Sequence, residues 1–123
     1  MRLPAFLRPR TAQQLAGQIG EDQALAYLQQ QGLQLLERNF RCKGGEIDLI
    51  MQDGKSLIFV EVRMRSEQKF GGAAASIGSA KQKRLIIAAQ IYLQRYKMPP
   101  PCRFDVIAFD DKKMTWLKNA IET

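Results

Sequence analysis

Two β-rich segments on either side of Asp53-Gly54 constrain the fold of this chain more than any other feature. Residues 46–52 (EIDLIMQ) alternate polar and apolar side chains, as a half-buried strand does. Residues 56–64 (SLIFVEVRM) are rich in residues that favour strands, and their apolarity is typical of a central strand. Because Asp-Gly is a strong hairpin signal, the two segments are predicted to be antiparallel neighbours.

The register of this hairpin predicts which side chains share a face of the sheet. With Asp53-Gly54 as a two-residue turn, pairing outward places Glu46 opposite Glu61. One face then carries only apolar side chains, as expected for a face that packs on a core: Ile47, Leu49, Met51, Ile58, Val60 and Val62. The other face carries Glu46, Asp48, Ile50, Leu57, Phe59, Glu61 and Arg63. Three carboxylates therefore meet on that second face.

Carboxylates that meet on neighbouring strands need compensation. Directly opposed residues have Cβ atoms roughly 5 Å apart, where like charges destabilise a sheet. Glu61 also lies in an apolar run, where a buried charge without a partner is costly. A hard divalent cation such as Mg²⁺ would compensate, because it prefers carboxylate and backbone oxygens. Two alternatives stay open: Arg63, Arg65 and nearby lysines neutralise the group, or Glu46 is solvated at a strand end.

A helix and an extended segment are predicted before the hairpin. Thr11 and Gln14 have the spacing of a capping box, and Gly32 is a natural C-terminal stop. The expected ranges are a helix over 11–31, an extended segment over 33–40 and a basic, flexible connection over 41–45.

A glycine-containing loop, a second helix and two strands are predicted after the hairpin. Ser79 and Gln82 fit a second capping box, and the prolines at 99–101 end the helix. Its apolar stripe is Leu85, Ala88, Ala89, Tyr92 and Tyr96. The expected ranges are a loop over 65–78, a helix over 79–96 and strands over 103–110 and 114–117. Helix, three strands, helix and two strands predict an α/β domain with helices packed on a sheet.

One acidic residue of the first predicted helix is a further candidate. Glu21 shares a helix face with small and apolar residues, namely Gly17, Ala24, Leu25 and Leu28. A carboxylate in such a stripe either reaches the hairpin carboxylates or lies at the helix edge in water, and the sequence favours neither.

The second predicted helix supplies candidate phosphate ligands. Lys81, Lys83 and Arg84 stand in its first turns, and residues 79–97 contain no acid. Positive side chains oppose the helix dipole there unless that end binds an anion such as phosphate. The basic surface is expected to extend over Arg38, Arg41, Lys43, Arg65 and Lys69. Contacts of this kind give affinity without sequence preference, and a solvated basic face is the alternative.

Length and charge bound the functional class. The chain of 123 residues suits one domain, expected over residues 11–123 after a basic, flexible arm at residues 1–10. Nineteen Lys and Arg against 12 Asp and Glu give a net charge of +7, which favours nucleic acid as partner over the alternative of a merely basic protein. The chain has no histidine, which excludes Ser-His and Cys-His catalysis and imidazole metal sites.

Cysteine usage and hydropathy predict the compartment. Cys42 and Cys102 fit no zinc spacing and predict free thiols in a reducing environment. No segment approaches the roughly 20 apolar residues of a membrane span, and the first residues lack the apolar stretch of a signal peptide. A cytoplasmic location and no membrane partner are therefore expected.

The hairpin residues resemble a known motif. Asp48 followed by Glu61-Val62-Arg63 on the next strand resembles the PD-(D/E)XK nuclease motif, an Asp and then Glu-x-Lys. More closely, the chain resembles the YraN family, small bacterial endonuclease-like proteins similar to archaeal Holliday-junction resolvases. The resemblance extends from about Gly17 to Ala120. It rests on GEIDLI (45–50), FVEVRMRS (59–66), FGGAAASI (70–77), KQKRL (81–85) and RFDVIAF (103–109).

The resemblance implies a restriction-endonuclease-like core with a central mixed sheet, in the order αβββαββ. It implies an Mg²⁺- or Mn²⁺-dependent endonuclease that acts on DNA, with branched DNA as a candidate substrate. Asp48, Glu61 and the Val62 carbonyl are its implied metal ligands, with Glu46 and Glu21 beside them. The candidate catalytic residues are therefore Asp48, Glu61, Arg63, Glu46 and Glu21, and the candidate nucleic-acid ligands are Arg41, Lys43, Arg65, Lys81, Lys83 and Arg84.

Arg63 departs from the motif, which has lysine at that place. Arginine keeps its proton at physiological pH and cannot act as a base, although it can hold a phosphate or stabilise negative charge. Two other functions therefore stay open: a non-catalytic nucleic-acid-binding module with a nuclease fold, and a basic protein-interaction factor. A homodimer also stays open.

Overall fold

Five strands form one sheet between two helices in the computed structural model, which describes residues 11–65, 77–110 and 113–121. The elements are α1 (Ala12–Gln30), β1 (Gln34–Cys42), β2 (Gly45–Asp53), β3 (Ser56–Arg65), α2 (Ser79–Leu93), β4 (Cys102–Asp110) and β5 (Lys113–Leu117). The strands lie side by side in chain order, with β3 and β4 parallel and the other pairs antiparallel. The predicted mixed α/β class is confirmed. Neither helix of the described residues is long and apolar enough to cross a membrane.

The predicted ranges agree with these elements to within a few residues. The basic arm predicted at residues 1–10 and most of the loop predicted at 65–78 lie outside the described residues. Cys42 and Cys102 are free, as predicted.

Each helix covers one face of the sheet, so both faces of the β2–β3 hairpin are buried. α1 packs Ala24 and Leu28 against a cluster that includes Leu49, Met51, Ile58, Val60 and Ile107. α2 packs the predicted stripe against a cluster that includes Ile47, Ile50, Leu57, Phe59 and Phe104. Most residues of the predicted apolar face therefore pack against α1. Ile47 is the exception, because it packs against α2.

The strand that pairs with β2 near Ile47 departs from regular geometry at Asn39. Asn39 has a φ of 55°, a left-handed conformation that asparagine tolerates better than most residues. On one side of this position, Leu49 packs with α1; on the other, Phe40 and its register partner Ile47 both pack with α2. The helix against which these side chains of β2 pack therefore changes between Leu49 and Ile47, with Asp48 between them.

The β2–β3 turn lies one residue later than predicted. Asp53 pairs with Ser56, so the two-residue loop is Gly54-Lys55. Gly54 has a φ of 61°, and glycine is favoured at the first loop position of a type II′ turn. The predicted register, with Glu46 opposite Glu61, is therefore wrong by two residues. Because two residues are one full period of a strand, the slip does not change which side chains share a face.

The predicted N-terminal cap is confirmed for α1 and wrong for α2. The Thr11 hydroxyl accepts from the Gln14 amide at 3.1 Å, and the Gln14 side chain accepts from the Thr11 amide at 2.9 Å. α2 instead begins after Gly78, which makes no side-chain cap bond. The Gln82 side chain donates to the Ile77 carbonyl at 3.1 Å, so it is not available for a capping box.

Gly45 allows the start of β2 to contact α2 directly. A Cβ atom at this position would meet the carbonyl oxygen of Arg84 and lie 2.9 Å from the amide nitrogen of Ala88. The connection predicted as flexible over 41–45 is consequently short, with Lys43-Gly44 as a two-residue turn held beside α2.

We predict that Gly45→Ala lowers the free energy of unfolding by about 1–3 kcal/mol, because α2 backbone must shift to admit the methyl group. Gly17→Ala in α1 is the matched control, since a Cβ there meets nothing within 4 Å. The control should raise stability by up to about 1 kcal/mol through helix propensity. Urea unfolding of both variants checks the prediction, and equal effects would contradict it.

Candidate metal and nucleic-acid site

Asp48 and Glu61 lie together where the β2–β3 ladder ends, and we call them the acid pair. Glu61 is on the central strand β3 and is 4% exposed. Asp48 directly precedes Leu49, the residue of β2 whose pair with β3 lies farthest from the turn. Its Oδ2 atom accepts a hydrogen bond from the Val62 amide at 2.9 Å. This bond fixes the Asp48 carboxylate beside Glu61. It engages the N–H of Val62, whereas the sequence predicted a role for its carbonyl.

The surroundings of Glu61 favour its neutral form. Burial is the largest cause and the charge of Asp48 the next, and together they raise the pKa of Glu61 to about 8. The charges of Lys81 and Arg63 act in the opposite direction. The Oε2 atom of Glu61 is buried and has no hydrogen-bond partner. A buried acceptor beside a second carboxylate is a place where a proton or a metal cation can be held.

Lys81 of α2 bridges Glu61 and Glu46. Its Nζ atom lies 3.2 Å from Oε1 of Glu46 and 3.6 Å from Oε1 of Glu61. The hydrogen bond and charge of Lys81 lower the pKa of Glu46, and Arg41, 3.9 Å from Oε2 of Glu46, acts in the same direction. Glu46 is therefore partnered by cations. Lys81, predicted to bind phosphate, is engaged by carboxylates, which agrees with the alternative that lysines neutralise the group.

The three predicted carboxylates lie near one another, since Lys81 contacts both Glu46 and Glu61 and Asp48 lies beside Glu61. Within residues 11–65, 77–110 and 113–121, no group of three or more Asp, Glu, Cys or His side chains is placed to hold a metal ion. The acid pair nonetheless fits a hard divalent cation, because Mg²⁺ is commonly bound by one or two carboxylates and completes its shell with water or phosphate oxygens. The buried Oε2 atom of Glu61 is the observation on which this fit rests.

Glu21 is paired on the α1 side of the sheet. Its Oε1 atom accepts from Nε of Arg38 at 2.8 Å, and the same guanidinium contacts Asp22. Arg38, expected on the basic surface, is thus neutralised by α1. Its register partner Leu49 packs with α1, whereas α2 reaches the acid pair from the opposite face. A role for Glu21 in the site stays a prediction.

Arg63 lies on β3, two residues after Glu61, and is half-buried. Its charge acts on Glu61, so its predicted place near the acid pair agrees with the electrostatics. Arg65 ends β3, and its side chain lies outside the described part of the chain.

Four exposed basic residues lie on two segments that Gly45 brings into contact. They are Arg41 and Lys43, at the β1–β2 turn, and Lys83 and Arg84, on α2, and we call them the basic ridge. The charges of Arg41 and Arg84 both lower the pKa of Glu46, so the ridge adjoins the Lys81–Glu46 ion pair. The sequence predicted these cations but not that they lie close together. The signal that could have indicated it is Gly45, the first residue of β2, which directly follows Gly44.

These features define a mixed α/β protein in which a buried glutamate lies beside a half-buried aspartate of the neighbouring strand, with a basic ridge next to them. Residues 20–109 match the uncharacterised protein family UPF0102. The chain belongs to this family, which confirms the YraN-like resemblance at the level of the family.

Similar proteins cover nearly the whole chain. A UPF0102 protein of Janthinobacterium sp. (strain Marseille) is 92% identical over 122 residues, which are 99% of each chain. One from Herminiimonas arsenicoxydans is 72% identical over 124 residues and covers 100% of both chains. Another, from Pseudomonas putida (strain GB-1), is 52% identical over an alignment of 121 positions that covers 93% of this chain and 98% of the relative. The shared name states no activity.

We predict that Glu61→Gln makes the free energy of unfolding less dependent on pH. The folded protein keeps a proton on Glu61 up to about pH 8, whereas the ordinary pKa is 4.5. The stabilisation that protonated Glu61 gives the fold is therefore fully present at pH values below the ordinary pKa of 4.5, and it is lost as the pH rises through the raised pKa. Since glutamine does not ionise, the variant should match the parent near about pH 5 and exceed it by a few kcal/mol near about pH 9.

Urea unfolding in the presence of a chelator measures this difference. Asp53→Asn, at the exposed end of β2, is the control for the loss of one carboxylate. A stability difference between Glu61→Gln and the parent that is the same at both pH values would contradict the prediction.

Proposed function

We propose that the protein is a metal-dependent endonuclease that hydrolyses phosphodiester bonds in nucleic acid, with DNA as its substrate and Mg²⁺ or Mn²⁺ held by the acid pair. The observation that carries the proposal is the buried Oε2 atom of Glu61, which has no hydrogen-bond partner and lies beside Asp48. The motif of Asp48 and Glu61-Val62-Arg63, with the YraN-like resemblance, supports a restriction-endonuclease-like core and branched DNA as a substrate to test. A cytoplasmic location is part of the same proposal.

The chain's own groups would divide the work at this site. The Val62 amide holds the Asp48 carboxylate in one orientation, and burial keeps water from the Glu61 side chain. Arg63 contributes positive charge for a phosphate and cannot act as a base. A bound divalent cation would supply Lewis-acid stabilisation of the phosphate and a more acidic water.

The basic ridge would bind the phosphate backbone. Its four side chains are exposed and adjoin the ion pair of Lys81 and Glu46. The net charge of +7 adds long-range attraction for a polyanion. Such contacts position a duplex and carry no sequence information, so we expect binding with little sequence preference.

We predict that Asp48→Asn and Glu61→Gln each lower Mg²⁺- or Mn²⁺-dependent cleavage by roughly a hundredfold or more, because both remove a charged oxygen ligand. The assay compares labelled single-stranded, duplex and four-way-junction DNA. Asp53→Asn, on the same strand but exposed at its far end, should leave cleavage unchanged. Unchanged cleavage in both acid-pair variants would overturn the assignment.

A non-catalytic nucleic-acid-binding module is the second candidate. The ion pairs of Lys81 with Glu46 and Glu61 favour it, because they show that the site can be neutralised from within. This candidate predicts salt-sensitive binding without turnover in any metal. A basic protein-interaction factor would instead lose DNA binding at modest salt and keep binding to an acidic protein.

We predict that Lys43→Met and Arg84→Met each weaken DNA binding about equally for different sequences. Each should also reduce the slope of log affinity against log salt by about one, because one phosphate contact is lost. Lys55→Met is the matched control, since Lys55 is exposed in the β2–β3 turn at the other end of β2. Fluorescence anisotropy over a range of salt concentrations measures the slopes, and equal slopes in all variants would argue against the ridge.

A further inference from the structure

Lys81 holds two carboxylates of different character. Glu46 is 40% exposed and adjoins the basic ridge, whereas Glu61 is 4% exposed and belongs to the acid pair. The ammonium group lies closer to Glu46, at 3.2 Å, than to Glu61, at 3.6 Å. Lys81 therefore has an inner partner and an outer partner, and its side chain, 19% exposed, lies between the interior and the surface.

A cation at the acid pair would compete with this ammonium group. Any ion bound by Glu61 and Asp48 would lie only a few ångströms from Nζ of Lys81, in surroundings where burial reduces screening. Two positive charges at that separation repel strongly. The Glu61 carboxylate cannot neutralise both the metal ion and the Lys81 ammonium group. Glu46 remains available as a partner for the lysine.

The fold provides a place for the displaced side chain. Lysine has a flexible four-carbon stem, and Lys81 stands in the first turn of α2, so a rotation about Glu46 can carry Nζ outward. The outward direction leads to the basic ridge, because Arg41 and Arg84 act on the same Glu46 carboxylate. A phosphate bound at the ridge would be within the reach of the lysine there.

We propose that Lys81 is an internal counter-ion that competes with a divalent cation for Glu61 and moves to Glu46 and the basic ridge when the cation binds. Lys81 then contacts phosphate only in the metal-bound protein, as a positioning residue. This inference rests on the proposed metal site.

The first test titrates Mn²⁺ alone into the metal-free protein by calorimetry. Lys81→Met should bind Mn²⁺ roughly tenfold more tightly than the parent, because a repelling charge is removed. Removing the lysine charge also favours protonation of the acid pair, and a proton competes with Mn²⁺. The doubly charged ion gains about twice as much electrostatic free energy as the proton, so the affinity for Mn²⁺ still rises. Lys55→Met, which removes an exposed lysine in the β2–β3 turn, is the control and should match the parent.

Two results would overturn the inference, and they differ in what they say about the proposed function. If the parent binds Mn²⁺, Asp48→Asn does not, and Lys81→Met binds no more tightly than Lys55→Met, the metal site stands and the competition is wrong. If Mn²⁺ binds to none of the proteins, the metal site fails and the inference fails with it. Should Lys81→Met not fold, Lys81→Gln removes the charge while keeping a hydrogen-bond donor for Glu46.

The second test measures DNA binding with and without a divalent cation. In a chelator, Lys81→Gln and the parent should have the same slope of log affinity against log salt. With Ca²⁺ present, the slope of the variant should be smaller by about one, because only then does Lys81 contact phosphate. A purely structural role for Lys81 would change the slope equally in both conditions, and this result would overturn the displacement.

Discussion

The rest of the site depends on two carboxyl groups, Asp48 and Glu61, which lie so close together that ionising both is costly. The Val62 amide fixes one carboxylate, and the central strand β3 buries the other. Lys81 offsets part of the charge but also serves Glu46, so the pKa of Glu61 stays raised. Ionisation of Glu61 is therefore costly, and a cation bound between the two carboxylates would offset that cost.

Much of this arrangement was predictable because strands alternate their side chains with a period of two. The turn was placed one residue too early, yet Asp48 and Glu61 were still assigned to one face, since the register slipped by a whole period. The clusters under both helices were likewise visible in the apolar pattern. Local caps were less predictable: Thr11 capped α1 as expected, whereas Gly78 replaced the predicted cap of α2.

The parts that could not be predicted depend on contacts between distant segments. Asn39 adopts a left-handed conformation, and Ile47, which pairs with the next residue of β1, packs with α2 although the alternation predicted the other face. Lys81 of α2 reaches Glu46 of β2 and Glu61 of β3 at the same time, so it partly neutralises carboxylates of both strands. Neither effect is visible from local sequence, because each depends on where α2 lies against the sheet.

Gly45 has a mechanical consequence for this part of the molecule. Because the start of β2 rests on the backbone of α2, the turn and the helix cannot slide past each other without a steric clash. The backbone positions that carry these cations are therefore held at a fixed spacing, so a polyanion that docks on them would not have to order the two segments first.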